Sequence, residues 1–255
     1  GGRDFVDGVS ISAREFYDAM RSSPVLPRTS QPPPGDFRRM FQFLLSHHER
    51  VIDVSLTRSL SGTLQSAASA AGRADAQRVS VFDSHQVAAG QGLMAIWAAE
   101  AAQAGLDAPR ILEGLARMRE RTKVFAVVND IRYAVRGGRV PRAALPVTRL
   151  LRVFLLLRSR PGGRLGLMGG LWGRKNLPER FARKIARQLN PARRYRFIVG
   201  HGDCPGDAER VKQALQASVR SIDRLWLVET GVAIGAHAGP GSLVIGVQDY
   251  EPPVP

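Results

Sequence analysis

The sequence predicts an α/β protein of two lobes, a parallel doubly wound sheet followed by a mixed-sheet lobe. In the first half, short β-branched runs alternate with helical spacings through brief turns, the signature of parallel βαβ units. After Arg121 the rhythm changes to a hairpin pattern, then to strands and helices that read as a mixed sheet. The boundary falls near residues 120–125, which gives an N-terminal lobe over residues 1–122 and a C-terminal lobe over 123–255.

Each element has its own signal. Ser12-Ala13-Arg14-Glu15 is a capping box that opens a helix to about Met20, with Phe16, Tyr17 and Met20 on one face. Residues 22–34 hold five prolines and make an extended connection that cannot be helical. Phe37, Met40, Phe41, Leu44 and Leu45 then recur at helical spacing. Val51 to Leu56 is a strand, Gly62 to Ala71 a small-residue helix, and Val79 to Phe82 a short strand. An alanine-rich helix runs from Ala88 to Ala104, and Asp107 caps another through about Arg119. Val124 to Val128 is the next strand, and Ile131 to Arg136 a short helix stopped by Gly137-Gly138. Val153 to Leu157 and Arg164 to Met168 flank Pro161-Gly162-Gly163 as a hairpin. Helices over Asn176–Gln188 and Asp207–Ser218 alternate with strands at Arg196–Val199, Leu225–Val228 and Ser242–Val247. His237-Ala-Gly-Pro-Gly before the last strand reads as a turn too constrained for regular structure.

Composition narrows the function classes. At 255 residues, 44% hydrophobic and 23% charged, the chain can bury a sizeable core. It contains no run of about 18 uncharged apolar residues, so no transmembrane segment is expected. The most apolar stretch, Leu150 to Leu157, is interrupted by Arg152. The N-terminal Gly-Gly-Arg-Asp lacks a signal-peptide layout, and the single cysteine, Cys204, permits no internal disulfide; a cytoplasmic location is expected. Lysine and arginine total 37 against 22 acidic residues, a formal charge of +15 that attracts anionic partners. The basic residues are spread, densest at Arg132–Arg142, Arg149–Arg174 and Arg193–Arg196, so no specific nucleic acid is expected. Transient contact with an anionic membrane surface remains open.

The chemistry sits in short turns at strand ends. Ser61-Gly62-Thr63 follows a strand and opens a helix, so an anion there would meet free N–H groups and the positive end of the dipole. The same serine could instead only cap the helix. Thr29 lies between Pro27 and Pro32, either a hydroxyl held rigidly or part of an ordinary linker. Asp83-Ser84-His85 suggests a partial triad, but adjacent residues cannot converge on one proton path. The histidines show no metal spacing, and no nucleophile elbow occurs. Arg174-Lys175 could meet an anion or a partner, or simply be solvated, and Gly137-Gly138-Arg139 reads as a helix stop. These turns point to a binding protein before a catalyst, with no catalytic residue, metal or cofactor expected. The enzyme alternative is a small-molecule acyl- or phosphate-handling enzyme using Ser61 with His237 as its base.

In this order and spacing the turns resemble the DegV family of fatty-acid-binding proteins. The resemblance is carried by Asp7-Gly8, Ile11-Ser12, Phe16-Tyr17, Leu26 to Pro32, Leu60 to Thr63 and Gln65-Ser66-Ala67. It continues through Asp83-Ser84, Gly90-Gln91-Gly92, Arg136 to Arg139 and Gly235 to Gly241. It implies one long-chain fatty acid in a cleft between the lobes, its carboxylate held by Thr29 and Ser61. Gly62, Thr63, His237 and Arg174 would be auxiliary residues of the head-group region. It also implies presentation of the acid to a separate ATP-dependent fatty acid kinase. Burying about 14 methylenes at ~0.8 kcal/mol each yields on the order of 11 kcal/mol before ordering costs, so the tail would dominate affinity. The family's first strand and Asp-Ser turn have no counterpart here, so the first sheet is expected to lack a strand, or the chain is a fragment. Ala238 stands where the family usually has Thr, and Phe154-Leu155 where it usually has Lys-Pro; Gly169-Gly170-Leu171-Trp172 is atypical.

Overall fold

The computed structural model describes residues 4–23, 25–138 and 153–254. Pro24, Arg139, Arg142, Arg149 and Leu150–Arg152, which figure in the motifs above, lie outside the described residues.

The capping box forms as the sequence predicts at α1 (Ala13–Ser22): the Glu15 N–H donates to Ser12 Oγ at 3.3 Å and the Ser12 N–H donates to Glu15 Oε2 at 2.9 Å. The proline-rich strap that follows leads into α2 (Pro34–Leu45), where proline occupies a first-turn position that needs no N–H partner. Strand β1 (Val51–Ser55) crosses over through α3 (Thr63–Ala74) to β2 (Val79–Asp83), and the two strands pair in parallel with Val51 opposite Val79. Among the described residues, the smaller, parallel sheet consists of these two strands. The small side chains Ala67, Ala70 and Ala71 on α3 admit Phe41 of α2 and Val79 of β2 into one cluster.

Helices α4 (Ala89–Gln103) and α5 (Ala108–Arg121) lead to β3 (Thr122–Val128), which joins the larger sheet. The chain then forms α6 (Ile131–Arg136), the hairpin β4 (Val153–Ser159) and β5 (Leu165–Trp172), α7 (Leu177–Ala186) and β6 (Tyr195–His201). It closes with α8 (Pro205–Ser218), β7 (Ile222–Glu229), α9 (Val232–Ala238) and β8 (Leu243–Asp249). The six strands lie in the order β5-β4-β3-β8-β6-β7. Among the described residues only the β6–β7 pairing of this sheet is parallel, so the sheet is mixed.

One face of this sheet is covered by α7 and α8, whose Phe181, Ile185, Val211 and Leu215 pack on Phe197, Val199 and Ile245. The other face meets α4 through Leu93, against Val124, Ile198 and Val244. Beside Leu93, Met94 and Trp97 of α4 pack with Leu115 of α5 and with Ile52, Val54 and Phe82 of the small sheet. A helix apolar on all sides is a buried one. The alanine-rich composition of α4 is what lets it serve both sheets.

One local feature differs from the sequence reading. His237 is not in an irregular turn: it lies in the last turn of α9, and the stop comes at Gly239, whose φ of 75° breaks the helix. The Asp7 carboxylate supplies the helix start, accepting the Val232 and Ala233 N–H groups at 3.1 and 3.0 Å. The hairpin tip forms where the sequence predicts it and gains a docking contact. Gly162 and Gly163 adopt φ of 74° and 76°, and the Gly163 carbonyl accepts Ser59 Oγ at 2.7 Å. A Cβ on Gly163 would overlap Thr57 Oγ1, so the tip sits directly on the loop that follows β1.

Candidate functional site

The proline strap does not run free. Phe16, Tyr17 and Met20 of α1 pack against Ala236 and Val232 of α9 and Tyr133 of α6. Tyr17 Oη, fully buried, pairs with Thr230 Oγ1 at 3.0 Å. That anchorage lays the strap across the ends of α6 and α9. A cavity of about 500 Å³ opens there, bounded by Val25 to Thr29, by Tyr133, Arg136 and Gly137, and by Ala236 and His237. This volume falls within the ~300–1,000 Å³ of typical small-molecule sites.

At its wall Thr29 Oγ1 and His237 Nε2 are hydrogen-bonded at 2.8 Å. With Nε2–H donating to Oγ1, the Thr29 hydroxyl proton is left to point outward, which suits an anionic oxygen. The imidazole is held against the backbone at the end of α6: a Cβ on Gly137 would overlap His237 Nδ1. The glycine that reads as a helix stop is therefore also the surface on which the ring rests.

The Ser61 turn is built differently. Ser61 Oγ accepts the Thr63 N–H at 3.3 Å and pairs with Thr63 Oγ1 at 2.8 Å, so it tidies the first turn of α3. The space above Gly62, open to an anion in the sequence reading, is taken by the Gln31 amide, which a Cβ on Gly62 would overlap. Gln31 Nε2 continues to Ser66 Oγ at 3.4 Å. Gln31 is two residues from Thr29, so the strap bridges the two hydroxyl turns through this side chain. Thr29 and His237 line the cavity, whereas Ser61, Gly62, Thr63 and Arg174 are not among its walls.

Arg174 donates from Nη2 to Asn129 Oδ1 at 2.7 Å, and Asn129 Nδ2 reaches the Pro240 carbonyl at 3.4 Å. Its guanidinium also lies over the Phe154 ring, 5.7 Å from the centroid. Phe154, one of the departures from the family pattern, thus has a structural partner in this chain. The link from Arg174 runs to the segment after α9, a connection that sequence spacing does not suggest.

Asp83-Ser84-His85 is a structural turn. Asp83 is buried, accepts Arg58 Nε at 2.7 Å and takes the His85 N–H at 3.1 Å. The hydroxyl paired with His237 is that of Thr29, and Ser61 pairs with Thr63, so the nucleophile–base contact of the enzyme alternative is not formed. Elsewhere, burial pushes the Cys204 thiol up to about 12 and depresses His201. Burial raises Asp53, opposed by the Ser55 hydroxyl. Among the described residues no helix is long and apolar enough to cross a membrane, and no cluster of His, Cys, Asp and Glu is placed to hold a metal.

A small parallel sheet beside a larger mixed one, with a strap-roofed cavity faced by a hydroxyl and an imidazole, is the build of a ligand-binding α/β protein. The chain belongs to the DegV family, described as a family of uncharacterised proteins, whose profile matches residues 1–249. A DegV domain-containing protein of Deinococcus radiodurans is 30% identical over 249 residues, spanning 97% of this chain and 87% of that protein. A fatty-acid-binding DegV family protein from Thermus thermophilus superposes with a TM-score of 0.89 at 27% identity, covering 98% of this chain and 89% of that one. DegV of Bacillus subtilis, a fatty acid binding protein, superposes with a TM-score of 0.83 at 26% identity, covering 96% and 87%.

Proposed function

We propose that this chain binds a long-chain fatty acid non-catalytically, with the carboxylate on Thr29 and His237 and the hydrocarbon in the protein interior. The observation that carries the reading is the 2.8 Å hydroxyl–imidazole pair at the wall of a cavity of about 500 Å³. Related proteins of the same fold and similar length bind fatty acids, which supports the ligand class. Neutral donors prevent the head group from being buried unpaired, while the tail supplies most of the affinity.

Ser61 belongs to this reading as a second carboxylate donor, reached when Gln31 moves off Gly62. Gly62 and Thr63 offer backbone N–H groups beside it, and Arg174 sets the electrostatics from outside the cavity. A carboxylate held by neutral donors stays open to attack, which is consistent with presentation to an ATP-dependent fatty acid kinase; that presentation is part of the proposal. Native mass spectrometry of the purified protein, before and after loading with fatty acid, tests it. One bound fatty acid per chain, identified by extraction, is the expected result. A protein that stays ligand-free after loading sinks the reading.

A further inference from the structure

The cavity mouth carries two cations that the hydroxyl–imidazole pair does not use. Arg28, next to Thr29 on the strap, and Arg136, the last residue of α6, both line it, and both are exposed. Neither has a carboxylate partner among the described residues, although this protein pairs many of its arginines. Arg132, one turn earlier on α6, is held by Asp130, its Nε donating to Oδ2 at 2.8 Å. Arg58 is held by Asp83, Arg196 by Glu100 and Asp223, and Arg210 by Glu179. No Asp or Glu is among the described residues that line the cavity, so the formal charges on that lining are of one sign.

Exposed charges of this kind add little to equilibrium affinity, because water and salt screen them. Their effect falls on the encounter, where a one-signed mouth raises the local concentration of the opposite ion and accelerates association. Pro27 restricts the strap beside Arg28, and Arg136 is the last residue of α6, so each guanidinium springs from backbone of restricted geometry.

We propose that Arg28 and Arg136 are the capture site for the ligand's carboxylate, drawing the anion to the mouth before it passes inward to Thr29 and His237. This rests on the fatty-acid reading above. It assigns the two arginines to the rate of loading and to selection of acids over neutral lipids, and leaves retention to the inner donors and the apolar interior.

Stopped-flow fluorescence with a fluorescent long-chain fatty acid, and with the alcohol bearing the same fluorophore, tests the assignment on wild type and on R28Q/R136Q. At low ionic strength the double variant should load the acid about tenfold more slowly. It should also lose most of the salt dependence of association, release the acid at the wild-type rate, and load the alcohol normally. Both substitutions are on exposed side chains, and a thermal melt checks that the fold is kept. Unchanged acid association and salt slope overturn the capture site. So does an equal slowing of the alcohol, or an effect confined to release. Absence of saturable acid binding to the wild-type protein is a different result: it overturns the underlying fatty-acid reading and the capture site with it.

Discussion

Thr29 and His237 are 208 residues apart in sequence, yet their Oγ1 and Nε2 atoms lie 2.8 Å apart in space. The contact joins the strap to the end of α9 and faces the cavity. Replacing Thr29 with Val keeps the β-branched shape and removes the hydroxyl. A hydrogen bond to a charged group is worth about 1.5–3 kcal/mol, so T29V should weaken fatty-acid binding by roughly tenfold or more. Titration calorimetry on wild type and variant measures this. An unchanged Kd removes Thr29 from the head-group site.

The helix that carries His237 is seven residues long and starts on a carboxylate 225 residues away, that of Asp7. A helix this short depends on its cap. D7A should cost about 1 kcal/mol, felt mainly in α9, and D7N should recover much of it because the amide oxygen also accepts. Hydrogen exchange at Val232 and Ala233 reports the loss directly. Protection equal to wild type in D7A would show that the cap does not hold the helix.

Gly163 combines a φ of 76° with contact to Thr57. G163A should therefore incur both backbone strain and overlap, for a loss of about 2–4 kcal/mol in global stability by urea unfolding. Alanine at Gly162, which also has positive φ but open space around it, should cost less. Equal losses at the two positions would mean that the docking of the tip contributes nothing.

His201, at the end of β6, is held below its ordinary range by burial, against the opposing pull of Glu229 and Asp203. Its Nδ1 accepts the Cys204 N–H at 3.4 Å, a contact that needs the neutral ring. The folded state therefore resists protonation that the unfolded chain accepts near pH 6.5. The His201 contribution is fully present above that value and is lost as pH falls from it through the lower pKa of the folded state. H201Q should flatten this part of the stability–pH curve, measured as the difference between wild type and variant. A slope identical in the two proteins counts against it.

Cys204 is the chain's one thiol, and its pKa of about 12 leaves little thiolate at pH 8. Against a free cysteine near pKa 8.5, the thiolate fraction is lower on the order of a thousandfold. Iodoacetamide labelling followed by mass spectrometry should be slow in the native protein and fast in urea. Rapid native labelling would contradict the raised pKa of this half-buried thiol.

Local chemistry was legible in the sequence. The Ser12–Glu15 box, the proline strap, the Asp107 cap and the Pro161–Gly163 hairpin each depend on residues a few positions apart, and all form. The helical state of His237 was hidden because Gly239 and Pro240 advertise a break while the cap that compensates is Asp7. Gln31 over Gly62 and the Ser59 bond to Gly163 were hidden for the same reason: each joins segments that no periodicity connects. The turns named the residue types of the site, and only packing decided which of them meet.

The anchorage of α1 on α9 has a consequence for biosynthesis. Thr29 emerges from the ribosome long before His237, and the cavity between them has no second wall until α6 and α9 have been made and docked. The growing chain can bury much of the α2–α3–β1–β2 unit early, since domains tend to mature as they are translated. The cavity therefore comes into being only after α9 has been translated, well after the α2–α3–β1–β2 unit.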